Sequence, residues 1–472
     1  MTPPKPTPVG IVMAAGKGTR MKSERPKALM PLLGRPLTAH VLNALEQAEI
    51  SPIIVVVGHG ADEVKANLGE RYHYALQTEQ LGTGHACMQA IPHLPEEATD
   101  VVVCAGDSPL VTPEALRALW EYHHTHDADA TVATAVMENP TGYGRILRTP
   151  NGAVQAIVEE KDATPEQKAI REVCTSFYCF KVSALREYLP RLTNQNAQGE
   201  YYLTDVIGLI AQAGGKVLAW QSPDPSLLMG VNNRWELAQA GEALRMRLLQ
   251  NLCLQGVTII DPRTTYVEVG VQVGHDTVIE PNTHLRGNTV IGANCILGPD
   301  LYLQDTTVGD ECHLFRSHIV QAQIESEVAV GPFANLRPGT VLKRGARVGD
   351  FVEIKNAIVG EGTKVLHLTY LGDATVGSGT NIGAGTITCN YDGQRKHRTT
   401  IGNGVFVGSH ATLVAPLTIE DGAYVAAGST ITDDVPAEAL AIARSYQTNK
   451  AGWVRKRRES NNSERAGGPS DG

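Results

Sequence analysis

Two groups of residues carry the chemistry of this chain. The first follows an aliphatic run, Val9–Ala15. It reads Ala14-Ala15-Gly16-Lys17-Gly18-Thr19-Arg20-Met21, with Pro26-Lys27 a few residues on. Glycines directly after a strand let backbone N–H groups approach phosphate oxygens closely. Arg20 and Lys27 add two cations suited to neutralising a triphosphate. The string is not a Rossmann fingerprint, because Met21 stands where the third glycine belongs, and it is not a Walker A loop. Asp107 ends the run Val101-Val102-Val103-Cys104-Ala105-Gly106-Asp107. A carboxylate at the carboxyl end of a strand is placed to hold Mg²⁺ against phosphates; the competing reading is a cap on the next helix. Gln77 and the Gly82-Thr83-Gly84 turn offer amide contacts to a base or ribose.

The second group gathers around His367. An imidazole, with an ordinary pKa of about 6.5, suits a general base. A plain corner histidine is the alternative. The surroundings favour a site: His367-Leu368-Thr369-Tyr370-Leu371-Gly372-Asp373, then Asn381-Ile382-Gly383-Ala384, then Asn390-Tyr391-Asp392-Gly393. Arg337 and Lys355 are either paired cations for a phosphate or solvated charges. His123, His124 and His126 do not share one helix face, so they read as surface histidines rather than a metal site.

Two kinds of scaffold must position these residues. From Val9 to about Leu228, β-rich apolar runs (Val9–Ala15, Ile53–Val57, Val101–Ala105, Thr131–Val136) alternate with amphipathic stretches (Leu37–Glu49, Ala61–Leu68, Thr112–His124). That order predicts a doubly wound α/β sheet with ligands beyond the carboxyl ends of its strands. From Val267 to Ile431 an aliphatic residue returns every sixth position, as in Val267, Val273, Ile279, Leu285, Ile291, Leu297 and Leu303, with occasional slips of one. A period of six fits neither a helix nor a half-buried strand. It marks hexapeptide repeats, which wind into a parallel β-helix with the aliphatics stacked inside about 4.8 Å apart. The pattern lapses from Thr388 to Thr400, where a loop should leave the prism.

Arg234–Leu254 has helical spacing, with Trp235, Leu237, Leu244, Leu248 and Leu252 on roughly one face, and reads as a linker helix. The expected domains are therefore 1–233, a linker 234–255, a solenoid 256–454 that Ala437–Ala451 caps, and a disordered tail 455–472. At 472 residues more than one core is expected, and the net charge of −9 argues against nucleic acid or an acidic membrane as partner. The eight cysteines form no CxxC pair and read as reduced; Cys295 and Cys312 occupy small-residue positions of the solenoid. The Pro-rich start lacks a signal-peptide layout and no apolar run reaches membrane length, so the cytoplasm is expected.

The motifs at 14–20, 80–86 (Gln-Leu-Gly-Thr-Gly-His-Ala), 140–146 (Pro-Thr-Gly-Tyr-Gly-Arg-Ile), 196–202 (Asn-Ala-Gln-Gly-Glu-Tyr-Tyr) and 230–234 (Gly-Val-Asn-Asn-Arg), with the two solenoid motifs, carry a resemblance over nearly the whole chain. It is to the bacterial bifunctional family of N-acetylglucosamine-1-phosphate uridyltransferases and glucosamine-1-phosphate N-acetyltransferases. The resemblance implies a Rossmann-like nucleotidyltransferase domain, a linker helix and a left-handed β-helix. The hand comes from the family alone, since parallel crossovers are right-handed in about 98% of cases. It also implies UTP and acetyl-CoA as co-substrates, Mg²⁺, a homotrimer whose acetyl sites draw on neighbouring chains, and a product that feeds peptidoglycan and lipopolysaccharide.

Residue by residue, the resemblance puts Ala14, Ala15, Gly16, Gly18, Arg20, Lys27, Gln77, Gly82, Thr83, Gly144, Glu159 and Asn232 in the uridyltransferase pocket. Arg20 and Lys27 act on the phosphates, and Asp107 and Asn232 hold Mg²⁺. In the solenoid His367 is the base, supported by Glu353. Arg337, Lys355, Tyr370, Asn381 and Lys396 bind glucosamine-1-phosphate. Ala384 supplies an oxyanion N–H and, with Asn390, Tyr391, Ser409, Ala427 and Arg444, meets acetyl-CoA. One departure stands out: Cys174-Thr175-Ser176 occupies a place where the family has Asn, then Ser or Thr, then Gly. The sugar contact of that Asn does not carry over to Cys174. Two other readings stay open: a nucleotidyltransferase with a regulatory solenoid, which predicts loss of the His367 and Asn390 motifs, and a non-catalytic assembly subunit, which predicts loss of Arg20, Lys27 and Asp107.

Overall fold

A computed structural model describes residues 7–466. The Pro-rich first six residues and residues 467–472 lie outside the described range. The chain forms two compact units, the first running to Leu252 and taking in Val267–Val269, the second formed by Cys253–Tyr266 and the chain from Gly270 on.

The elements of the first unit are, in order, β1 (Val9–Met13), the hairpin β2 (Pro31–Leu32) and β3 (Arg35–Pro36), α1 (Leu37–Gln47), β4 (Ile53–Val57), α2 (Ala61–Leu68), β5 (His73–Leu76), α3 (Thr83–Ala90), β6 (Asp100–Ala105), α4 (Pro113–Thr125) and β7 (Ala130–Val136). They continue with β8 (Arg145–Arg148), β9 (Val154–Val158), α5 (Pro165–Lys168), β10 (Glu172–Lys181), α6 (Val182–Tyr188), α7 (Thr204–Gln212), β11 (Val217–Gln221) and α8 (Arg234–Leu254). The sheet order is β11-β7-β10-β6-β1-β4-β5. Its neighbours are parallel except around β10, which runs antiparallel to both β6 and β7. The doubly wound expectation holds, with one reversed strand that the search for apolar runs did not anticipate.

The sheet is buried on both faces because its strands are continuous aliphatic runs. Ile11, Ile54, Val56, Val101 and Val103 face one layer with α3 and α7, while Val12, Val55, Val57, Val102 and Cys104 face the other with α1 and α4. Helix α4 starts as predicted: Thr112 Oγ1 accepts the Ala115 N–H at 3.3 Å and Pro113 occupies the first turn. His124 and His126 are exposed as expected, but His123 corrects the surface reading. His123 lies on the inner face with Leu116, Leu119 and Trp120 and is only 1% exposed, its Nδ1 2.9 Å from Thr131 Oγ1. His124 is half-exposed and stacks on Trp120. In α8, Ala240, Leu244 and Leu252 are buried, but Trp235 is 72% exposed and does not share their face.

The second unit is a three-sided parallel β-helix, with sheets of 11, 10 and 9 short strands whose hydrogen-bonded neighbours lie one coil apart. Each predicted aliphatic is the inward residue of a strand. One column reads Val273, Ile291, Val308, Ile324, Leu342, Val359, Val376, Ile401 and Ile419. The slips in the period are sides with five residues instead of six, as between Ile354 and Val359. Small buried residues fill the corners, including Thr277, Cys295, Cys312, Ala346 and Thr363. Thr388 breaks the aliphatic column where the predicted loop leaves; its Oγ1 accepts the Gly372 N–H at 2.8 Å. A further strand, Leu440–Ala441, adds to one sheet at the end of the prism.

The tail expected to be disordered from residue 455 instead contains helix α9, Trp453–Ala466. The run lacks Gly and Pro until Gly467, and the Arg457 guanidinium sits 5.6 Å over the Trp453 ring. All eight cysteines are free thiols. Among the described residues no helix is long and apolar enough to cross a membrane.

Candidate functional site

At the carboxyl ends of β1 and β6 the first unit opens into a cleft of about 450 Å³. Ala14, Ala15, Gly16, Lys27, Gln77, Gly82, Thr83 and Asp107 line it, together with Lys17, Gln80 and Ser176, which were not singled out from the sequence. A second compartment of about 160 Å³ is lined by Arg20, Asp107, Gly144, Glu159, Cys174, Ser176 and Asn232. Asp107 and Ser176 belong to both, so they stand where the two compartments meet. Gly18 has φ +64°, and a Cβ there would lie 2.6 Å from Lys27 Cβ; only glycine lets the lysine stem cross the loop.

Lys27 is the hub. Its ammonium pairs with Asp107 Oδ2 and donates to Asn232 Oδ1 at 3.3 Å, and Arg20 Nη2 donates to the same Asn232 oxygen at 2.9 Å. The two oxygens expected to hold Mg²⁺ thus already converge on one cation. A pair of oxygen donors, with water and phosphate completing the shell, is the kind of site Mg²⁺ takes. Gln77 is buried and fixed by Gly82 O and the His85 ring, both at 3.1 Å.

The reversed strand β10 shapes the second compartment. Its register against β7 shifts between Cys174 and Tyr178, and Ser176 there takes φ +62°. Such strained positions concentrate at functional sites. Cys174 is buried, its Sγ is 3.1 Å from Tyr178 Oη, and burial pushes its thiol up to about 12. It is therefore a neutral thiol engaged with a neighbour, not a substitute for an amide.

Glu159 accepts from Thr204 Oγ1 at 3.0 Å, yet burial holds its carboxyl above the ordinary range. Folding therefore favours the protonated form. Between the ordinary value of about 4.3 and the raised one, the folded chain holds a proton that the unfolded chain has lost, so this group makes stability fall as pH rises. Glu159→Gln is expected to flatten that fall and to raise the melting temperature at pH 7. Urea titrations across this range check it, and an unchanged pH slope would contradict the assignment.

In the solenoid, His367 and Asp350 are neighbours on adjacent coils, with His367 Nδ1 2.9 Å from Asp350 Oδ1. This corrects the expectation for Glu353, which instead accepts from Arg337 Nη1 at 2.8 Å. Asp350 is held below the usual carboxylate range by its own backbone N–H and then by the imidazole. The corner continues up the prism: Gly385 N–H meets His367 O at 3.3 Å, His410 N–H meets Ala384 O at 2.7 Å, and Gly428 N–H meets Ser409 O at 2.8 Å. His367, Ala384 and Ser409 therefore climb one edge, and Ala427, beside Gly428, ends the climb.

A second edge gathers cations. The Lys396 ammonium lies against Lys355 and, with Arg337 nearby, pulls the Lys355 amine below its ordinary value. Like charges held together disfavour one another, and three such cations match the charge of a phosphate. Asp373 accepts from Asn356 at 2.6 Å and from Asn390 at 2.5 Å. Burial opposes ionisation of Asp373, but these bonds and the two ammoniums keep it ionised. Tyr370 faces Glu353 on the adjacent coil, and Asn381 faces Lys364. Arg444 is exposed just past Ala443, whose N–H meets Ser429 Oγ at 3.2 Å, next to the Ala427–Gly428 end of the first edge.

Residues 10–195 match a MobA-like NTP transferase domain, and 270–305 and 398–433 match the bacterial transferase hexapeptide repeat. Over 446 residues the chain is 49% identical to the bifunctional protein GlmU of Brevibacillus brevis, covering 94% of this chain and 97% of that one. It is 50% identical to the GlmU proteins of Heliobacterium modesticaldum and Carboxydothermus hydrogenoformans, each over 94% of this chain and over 97% and 100% of theirs. The chain belongs to the GlmU family. It is accordingly a bifunctional enzyme with a nucleotidyltransferase unit and a hexapeptide acetyltransferase unit.

The transferase match takes in every first-unit site residue expected from the sequence except Asn232, which returns to the cleft just before α8. The hexapeptide matches flank His367 without including it, because shortened sides and the expelled loop break the period between 306 and 397. Asp350 is the partner of His367 that the hexad pattern does not single out. The signal was available: the shortened side makes that coil 17 residues long, and 17 residues before His367 is Asp350.

Proposed function

We propose that this chain makes UDP-N-acetylglucosamine in two steps at two separate sites. In the solenoid, the His367 imidazole takes a proton from the 2-amino group of glucosamine-1-phosphate as the nitrogen attacks the thioester of acetyl-CoA. The new C–N bond forms, the C–S bond breaks, and CoA leaves as its thiol. Asp350 orients the imidazole by accepting from Nδ1–H, which leaves Nε2 free to act as the base. Arg337, Lys355 and Lys396 hold the sugar's phosphate, while the backbone N–H of Ala384 faces the developing oxyanion. Tyr370 and Asn381 complete the sugar side, and Asn390, Tyr391, Ser409, Ala427 and Arg444 the CoA side.

In the first unit, a phosphate oxygen of N-acetylglucosamine-1-phosphate attacks the α-phosphorus of UTP, and pyrophosphate leaves. Arg20 and Lys27 neutralise the phosphates, and Gln77, Gly82 and Thr83 hold the uridine. Gly144 and Glu159 line the sugar compartment. Such transfer depends on positioning and charge more than on a protein base. Asp107 and Asn232 would hold Mg²⁺, which adds charge neutralisation at the phosphates when bound.

The observation that carries this reading is the pairing, in one chain, of a cation-lined cleft beyond β1 and β6 with a carboxylate-oriented imidazole beside three clustered cations. We place the enzyme in the cytoplasm as a trimer, as membership of the family implies. The test supplies glucosamine-1-phosphate, acetyl-CoA, UTP and Mg²⁺ and follows free thiol and pyrophosphate separately. Both are expected, with pyrophosphate dependent on prior acetylation. Pyrophosphate without thiol release would leave a nucleotidyltransferase with a regulatory solenoid.

A further inference from the structure

The loop that leaves the prism is a small hairpin with its own internal lock. Tyr391 and Lys396 form an antiparallel bridge, Asp392 N–H meets Arg395 O at 3.1 Å, and His397 N–H meets Asn390 O at 2.8 Å. The turn at its tip contains Gly393 with φ +95°. Side chains alternate across such a pair, so Tyr391 and Lys396 share one face while Asp392 and His397 sit diagonally on the other. The Asp392 carboxylate makes three bonds. Oδ1 accepts the backbone N–H groups of Gln394 and Arg395 at 2.7 and 2.6 Å, and Oδ2 meets His397 Nε2 at 2.7 Å. Tyr391 Oη adds a bond to Gly393 O at 2.7 Å.

The base of the hairpin is anchored as well, because Asn390 Nδ2 donates to Asp373. The carboxylate–imidazole contact is thus the side-chain tie across the outer part of the hairpin, on the face opposite the residues turned to function. Lys396 has its ammonium against Lys355, and the Tyr391 ring is 60% exposed. A nine-residue loop free to flex would spread both groups over many positions and would lose that freedom on binding, at a cost in affinity.

We infer that Asp392 and His397 are positioning residues of the acetyl-transfer site: their contact locks the 390–398 hairpin so that Lys396 meets the phosphate of the amino sugar and Tyr391 meets the acyl carrier. This rests on the acetyltransferase reading of the solenoid. The charged and titratable groups around the tie are Arg395 and Lys396 on the hairpin itself, Arg398 at its end, and Asp373 and Lys355 at its base.

The test uses the full-length chain carrying Asp392→Ala, His397→Ala or His397→Gln, or both alanines. The alanine variants are expected to raise KM for glucosamine-1-phosphate and acetyl-CoA about tenfold, with kcat within about twofold and uridylyl transfer unchanged. Because the tie is already broken in Asp392→Ala, which also loses the two turn bonds, the double variant should be no worse than Asp392→Ala alone. His397→Gln, whose amide can donate to the same carboxylate, should recover most of the loss. Amide exchange of residues 390–398 should quicken in the alanine variants while the prism strands stay protected, which separates loosening of the loop from unfolding. Unchanged KM values in Asp392→Ala, additive losses in the double variant, or a fall in kcat alone would overturn the inference. Absence of thiol release from the unmodified chain would overturn the acetyltransferase reading, and the inference with it.

Discussion

His367→Ala is expected to lower acetyl transfer about 10³-fold while uridylyl transfer from N-acetylglucosamine-1-phosphate continues at the unmodified rate. A positioned base contributes roughly 10²–10⁴, and an exposed amine attacking a thioester in water has only solvent to take its proton. Asp350→Asn should cost less, about tenfold. The Asp350 side chain is 40% exposed and that of His367 55%, so the bond between them is partly solvated. A hydrogen bond in such a setting contributes about 1 kcal/mol, which corresponds to somewhat under tenfold in rate. The asparagine amide can also present its NH₂ to Nδ1 and favour the wrong tautomer, so kcat should fall more than KM rises. Measuring kcat and KM for thiol release from pH 6 to 9, in both variants and the unmodified chain, decides the matter. If Glu353→Gln produced the tautomer effect and Asp350→Asn did not, the dyad would be misassigned.

That dyad shows where the sequence stops being readable. The hexad pattern is legible because each aliphatic must meet its copies above and below, and the interior of a narrow prism accepts nothing else. The outer residues obey no such rule. Which of them touch across coils depends on the length of each coil, and one five-residue side moves the neighbour of His367 to Asp350 and that of Tyr370 to Glu353. In the first unit the parallel strands stood out as aliphatic runs. Strand β10 did not, because Cys174, Thr175 and Ser176 interrupt it at the bulge that lines the smaller compartment. His123 was misplaced for a related reason: a polar residue on the inner face of a helix breaks the apolar stripe, and only its partner Thr131 on β7 explains its burial. Helix α9 was missed because composition alone does not separate a charged helix from a charged coil. The glycine and cation string after β1 was the most legible feature, since such a string has few other uses and the structure gathers it around one cleft.

The second large effect concerns Lys27. Lys27→Ala should lower uridylyl transfer about 10²–10³-fold and leave acetyl transfer untouched. The side chain is only 15% exposed and joins Asp107 to Asn232, so the loss is more than one surface cation. It removes positive charge from a partly dry cleft, where fixed charges act on the developing phosphate charge more strongly than in water. It also leaves the Asp107 carboxylate facing Asn232 Oδ1 with no cation between them. That second consequence separates two explanations. If Lys27 acted only by fixing Asp107, then Asp107→Asn would reproduce the defect and the double variant would add nothing. If Lys27 acts directly on the triphosphate, the double variant should be slower than either single one, and Asp107→Asn alone should raise the Mg²⁺ concentration needed for half-maximal rate. The geometry favours the second outcome, because Lys27 lines the larger cleft while Asp107 stands where both compartments meet. Pyrophosphate release across a Mg²⁺ titration in the four chains measures it. A Lys27→Ala rate within about threefold of the unmodified chain would remove the lysine from the chemistry and leave Arg20 as the principal cation of the cleft.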